Sequence, residues 1–150
     1  RSGIILLDNS SAKLHQKGSA IKLTGLTVGQ EYYLKGKEQP AMTKGYLNGL
    51  LDTKSKTEFQ ILLAHNPLHF ENYAAWGADL TIAGHIHGGL VRLPFIGGLL
   101  SPQVRFFPKY DAGKYEKNGR HMIVSRGLGS HSIMFRLFNP PEIVFVQFKR

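Results

Sequence analysis

Cysteine is absent from the 150 residues. Its absence removes structural disulfides, a cysteine-based zinc knuckle and a thiol nucleophile, and it leaves the redox compartment open. Long apolar runs are missing too: nothing approaches the roughly 18 residues that a membrane-spanning helix needs. Acidic side chains number only 10 against 19 Lys and Arg. The start, Arg1-Ser2-Gly3, has neither a Met nor the basic-then-apolar layout of a signal peptide, so further sequence is expected before Arg1.

What is present describes a folded domain. Hydrophobic residues make up 42% of the chain, and a chain of this size buries about 68–70% of its unfolded surface, enough for a core without staples. The formal charge of +9 favours an anionic partner such as a phosphoester, nucleic acid or an acidic membrane surface. Lys and Arg are dispersed, however, with no dense block of the kind that tracks a phosphate backbone. Nucleic acid is therefore the weaker reading and solvated surface charge the plainer one.

Periodicity and turn residues give an order of elements. Ile4 to Leu7 and the alternating stretch Ala20 to Leu26 read as strands, separated by a turn cluster at Asp8-Asn9-Ser10-Ser11. Met42, Tyr46, Leu47, Leu50 and Leu51 recur at helical spacing between Pro40 and Leu51, weakened by Gly45 and Gly49. Phe59 to Ala64 reads as a buried strand stopped by His65-Asn66-Pro67. A short helix over Leu68 to Trp76 closes at Gly77, and Asp79 to Ala83 forms a further buried strand running into Gly84-His85-Ile86-His87-Gly88-Gly89. Leu90 to Tyr110 reads as an irregular apolar loop, and Met122 to Ser125 and Ile143 to Phe148 as strands. The strand–helix–strand order predicts an α/β fold in which loops beyond the carboxyl ends of the strands gather functional groups.

Both histidine clusters follow such strand ends. On an extended backbone His85 and His87 point to the same side, and the flanking glycines let the loop approach an ion closely. His65 from the neighbouring strand completes three imidazole nitrogens, a donor type that suits first-row divalent metals. Each cluster alone also fits a surface or hydrogen-bonded histidine; the combination is what points to a metal. His69 reads as a partly exposed helical residue, with a phosphate-facing role as the alternative. His15, His121 and His131 have no ligand spacing.

The strings Leu62-Leu63-Ala64-His65-Asn66-Pro67 and Ala78-Asp79-Leu80-Thr81-Ile82-Ala83-Gly84-His85-Ile86-His87-Gly88-Gly89 resemble the last two motif blocks of calcineurin-like metallophosphoesterases. Val91 to Phe95, Val124 to Gly129 and Asn139-Pro140-Pro141-Glu142-Ile143 extend the similarity toward a bacterial phosphodiesterase branch. The resemblance implies the C-terminal half of a four-layer αββα sandwich with mixed β-sheets, whose intact form hydrolyses phosphoesters with two divalent ions, Mn, Zn, Fe or Ni. It implies that His65 and His85 bind one ion and His87 the other. The family's DxH, GDxxD and GNHD or GNHE patterns, including its general-acid histidine, are absent here, so the other half of the domain is an expected partner.

Three neutral imidazoles supply no anionic bridge between two dications, so at most one ion is expected in this chain, which should be inactive by itself. Arg126 presents a guanidinium to a substrate phosphate or pairs with a carboxylate, and Asn66 is a further candidate substrate contact. Leu90 departs from the Gln usual in that branch after the second glycine. The apolar stretch Leu90 to Leu100 packs over the sheet edge or touches lipid, leaving a cytoplasmic or a membrane-associated place in a bacterium. The rival functions are a non-catalytic metal-binding or interaction module and, with charge as its sole support, a basic nucleic-acid-binding domain.

Overall fold

The computed structural model describes residues 3–16, 18–33, 40–52, 57–101, 106–129 and 135–149. Its centre is a six-stranded mixed sheet built from β1 (Ser11–Gln16), β2 (Ser19–Leu26), β3 (Phe59–Ala64), β4 (Leu80–Ala83), β7 (Gly113–Lys117) and β8 (Arg120–Val124), in the order β1-β2-β3-β4-β8-β7. The four middle strands run parallel, and each edge strand is antiparallel to its neighbour. A two-stranded sheet, β5 (Val91–Leu93) and β6 (Gly97–Leu100), lies between β4 and β7 in sequence. The α/β class with mixed strands is the one expected.

Two short helices, α1 (Lys44–Leu50) and α2 (Phe70–Trp76), lie in the connections between parallel strands. A seven-residue helix is marginal by itself, and Gly45 and Gly49 each cost α1 about 1 kcal/mol against alanine. Leu47, fully buried, returns roughly 1.5–3 kcal/mol, so packing offsets propensity. Thr43 caps α1 through its Oγ1, which accepts from the Tyr46 N–H at 3.1 Å. Gly77 closes α2, its N–H donating to the Tyr73 carbonyl at 3.1 Å.

Alternation along β3 sorts its side chains. Gln60, Leu62 and Ala64 are buried, and Leu62 and Ala64 join Tyr32, Leu47, Leu51, Tyr73 and Trp76 in the larger core cluster. Phe70, Ala83, Tyr110, Met122 and Val124 form a second cluster. The other side of β3 carries Ile61, which is buried, between Phe59 and Leu63, which are exposed, so among the described residues that face is only partly covered, less than parallel strands usually are.

Several expectations change. Ile4 to Leu7 forms no strand: Ile4, Ile5 and Leu6 are exposed and find no ladder partner, whereas Ser11–Gln16, beginning within the expected turn cluster, pairs with β2. Ile143 to Phe148 is likewise outside the sheet, with Ile143 and Phe145 exposed. Leu90 to Tyr110 contains the β5–β6 pair, with Pro94-Phe95-Ile96 as its turn. His69 is buried, and His131 lies outside the described residues. Among the described residues no helix is long and apolar enough to cross a membrane.

Candidate functional site

The carboxyl ends of β3 and β4 adjoin. The Gly84 N–H donates to the His65 carbonyl at 3.1 Å, tying the first residue after β4 to the first residue after β3. Beyond that tie the chain does not stay extended: His85 has φ 63° and His87 φ 54°, followed by Gly88 at 73° and Gly89 at 90°. This corrects the expected extended His-x-His. Residues other than glycine adopt positive φ in only a few per cent of cases, and two in three positions mark a backbone held against its preference. Ile86, almost fully buried, anchors the turn from within. Its N–H donates to the Gly84 carbonyl at 2.7 Å, and its carbonyl accepts from Gly89 at 2.9 Å.

The imidazoles of His65 and His85 meet edge to face with ring centres 5.1 Å apart. Tyr33, at the end of a 3-10 turn over Gln30–Tyr33, packs on both, 5.0 Å from His85 and 6.3 Å from His65. Burial of the inner side of His65 lowers its pKa, although an edge of the residue stays exposed. That direction favours the neutral imidazole a metal requires. Burial raises the Tyr33 phenol in turn.

His87 is held differently. Arg136 Nη2 lies 3.2 Å from its Nδ1, and since a guanidinium can only donate, Nδ1 accepts and the proton of the neutral ring sits on Nε2. The same guanidinium also donates to the carbonyls of Arg126, at 3.1 Å, and Gly129. Asn139 straps the loop from the other side, its Nδ2 donating to the carbonyls of His87 at 2.6 Å and Gly89 at 2.7 Å. Gly88 fits beneath the strap because a Cβ there would stand 2.7 Å from both Arg126 Cγ and Asn139 Oδ1.

Arg126 is paired with a carboxylate. Its Nε donates to Glu142 Oε2 at 2.7 Å, and its main-chain N–H donates to Oε1 at 3.0 Å. Asn66 is buried, and its side chain serves the fold: Oδ1 accepts from the Leu68 N–H and Nδ2 donates to the Tyr32 carbonyl, both at 3.1 Å. His69 Nε2 lies 3.4 Å from the same carbonyl, so Asn66 and His69 both brace the turn carrying Tyr33. Tyr33, Arg136 and the strap role of Asn139 are not evident in the sequence pattern; the adjacent aromatics Tyr32-Tyr33 after Gly29 are the one local hint.

The neighbouring imidazoles of His65 and His85 are donors of the type that suits a first-row divalent ion. Among the described residues no group of three or more His, Cys, Asp or Glu stands close enough to hold an ion. Of the three histidines expected from spacing, His65 and His85 lie ring against ring, while His87 faces Arg136.

No family model matches the chain, and no solved structure does so either. It is 34% identical over 101 residues to the metallophosphoesterase YkuE of Bacillus subtilis, covering 67% of this chain and 35% of that protein. It is 36% identical over 100 residues to a metallophosphoesterase of Aquifex aeolicus, covering 66% of this chain and 35% of the relative. Phosphodiesterase YaeI of Escherichia coli is 34% identical over 88 residues, covering 59% and 32%. The chain spans about a third of the length of these curated relatives. Two histidines joined at adjacent strand ends and three relatives of one kind lead to one assignment: the chain belongs to the metallophosphoesterase family, as a part of such a protein.

Proposed function

We propose that this chain is part of a metal-dependent phosphodiester hydrolase, to which it contributes His65, His85 and His87 as imidazole ligands. The observation that carries the reading is the meeting of His65 and His85, delivered by the carboxyl ends of two adjacent parallel strands, the edge where α/β sheets place their chemistry. When bound, a pair of divalent ions supplies an activated water and neutralises the phosphoryl oxygens during in-line attack.

The chain's own residues do the holding. The Gly84–His65 hydrogen bond fixes the spacing of the strand ends, and the buried Ile86 fixes the turn that bears His85 and His87. Glu142 neutralises Arg126 beside the loop, so Arg126 acts on a substrate phosphate only if that pair opens. The family's carboxylate patterns are missing from these residues, and an anionic bridge between two dications must come from elsewhere in the protein. This chain by itself is therefore inactive in our reading and takes up at most one ion.

The test is Mn2+- or Zn2+-dependent hydrolysis of a chromogenic phosphodiester by the longer protein that includes this chain, with His85→Ala beside it. Loss of about a hundredfold or more in the variant is expected, whereas an unchanged rate refutes the role. A second reading is a non-catalytic module in which the neighbouring His65 and His85 imidazoles hold one ion for structure. It gains if the longer protein binds Zn2+ but hydrolyses no phosphodiester.

A further inference from the structure

Asn66, next to His65 in sequence, turns its side chain away from that histidine and into the core. There its amide donates to the Tyr32 carbonyl at 3.1 Å, and His69 Nε2 approaches the same oxygen at 3.4 Å. Tyr32 is gripped by its ring as well. It stacks on Tyr46 from α1 with centres 4.8 Å apart and meets the edge of His69 at 5.8 Å. Its N–H donates to the Gly29 carbonyl at 3.2 Å. A residue this tightly held leaves its neighbour little latitude, and the neighbour is Tyr33.

Tyr33 carries the other half of the device. Its ring stands 5.0 Å from that of His85 at 63° and 6.3 Å from that of His65 at 47°, while the two imidazoles meet each other at 70°. The three rings close a triangle. Edge-to-face contacts between aromatic rings are favourable beyond the area they bury. Two of them on His85 restrict the side-chain torsion that decides where its nitrogens point. Groups that orient an imidazole typically change metal affinity by about ten- to a hundredfold when removed.

We infer that Tyr33 is a positioning residue: its ring sets the orientation of the His65 and His85 imidazoles, and Asn66 and His69 act on the same pair indirectly by locking the Tyr32 carbonyl. The inference rests on the reading of these two histidines as metal donors. It assigns the work to the aromatic ring and not to the phenol hydroxyl. The paired tyrosines then divide the labour, one in the core and one over the histidines.

The experiment compares Tyr33→Ala and Tyr33→Phe in the full-length protein by two readouts. The first is Zn2+ affinity by competition with a chromophoric chelator; the second is the set of imidazole nitrogen and ring-proton resonances of His65 and His85 in metal-free protein. Tyr33→Ala is expected to shift both sets of resonances and weaken Zn2+ about tenfold or more, while Tyr33→Phe stays within about twofold of the parent with its resonances in place. Unmoved resonances in Tyr33→Ala overturn the inference, and so does a Tyr33→Phe variant as impaired as Tyr33→Ala. The metal reading fails separately: if the parent and His85→Ala take up Zn2+ alike, His85 is no ligand, and the metal-free resonances still decide what Tyr33 does.

Discussion

Asn139 Nδ2 donates to the main-chain carbonyl of His87 at 2.6 Å across 52 positions of sequence, and to that of Gly89 at 2.7 Å. Two hydrogen bonds from one buried amide hold a turn whose φ angles are otherwise unfavourable. Removing a partner from buried polar groups costs about 1–3 kcal/mol. Asn139→Ala should lower stability by roughly that amount in urea unfolding and speed amide exchange at His87 to Leu90. Asn139→Asp should not restore the bonds, because a carboxylate cannot donate to a carbonyl. Exchange in Asn139→Ala indistinguishable from the parent would show that the strap is not what holds the turn.

If His87 is a metal ligand, as proposed, the ion has to displace Arg136. With Nδ1 accepting from the guanidinium at 3.2 Å, the neutral ring carries its proton on Nε2. A metal on Nδ1 needs the atom Arg136 faces, and a metal on Nε2 moves the proton to Nδ1 and breaks the same bond. A cation so close also opposes a dication. Arg136→Leu should therefore strengthen Zn2+ binding in the full-length protein severalfold, and Arg136→Lys should do so less. Weaker binding in Arg136→Leu would mean that Arg136 supports the site.

The strand ends were legible because their signals are local. Phe59 to Ala64, stopped by His65-Asn66-Pro67, is a strand over the expected residues, and the Gly77 stop of α2 is equally clear. The site edge followed from these. The failures were non-local. Ile4 to Leu7 has strand composition but finds no partner; Arg126 takes the carboxylate-paired alternative of its two expected roles, although composition does not specify that the partner is Glu142, 16 positions away. The His85–His87 geometry was misjudged because alternation predicts side only on an extended chain, and the turn here is set by Ile86 and Asn139.

One hairpin carries a strong local signal of its own. Asn118 and Gly119, with φ 52° and 71°, join β7 to β8, and Asn-Gly between alternating strands is a strong two-residue hairpin signal. No atom lies within 4 Å of a Cβ built at Gly119, so substitution there meets no clash and reports backbone strain alone. Gly119→Val should cost roughly 1–2 kcal/mol, a fall in Tm of about 2–8 °C for a domain of this size. Asn118→Gly, which keeps both residues free to adopt positive φ, should lose much less. Equal Tm values for parent and Gly119→Val would rule out the left-handed turn.

His69 gives the fold a pH dependence of definite sign. Burial lowers its pKa below the ordinary 6.5, and its hydrogen bond with the Tyr32 carbonyl opposes that only in part. The unfolded chain therefore takes up a proton near pH 6.5 that the folded chain refuses until lower pH. Over that window the unfolded state binds more protons, and stability must fall as the pH drops. Above about pH 7.5, where both states are neutral at His69, the group makes no pH-dependent contribution. Urea midpoints measured from pH 8 to pH 5 should decline in the parent. They should decline less steeply in His69→Gln, which retains a donor for the Tyr32 carbonyl but cannot ionise. His65, also lowered by burial, pulls in the same direction, so the difference between parent and His69→Gln is the quantity that isolates His69. Parallel declines would place its protonation outside the folding equilibrium.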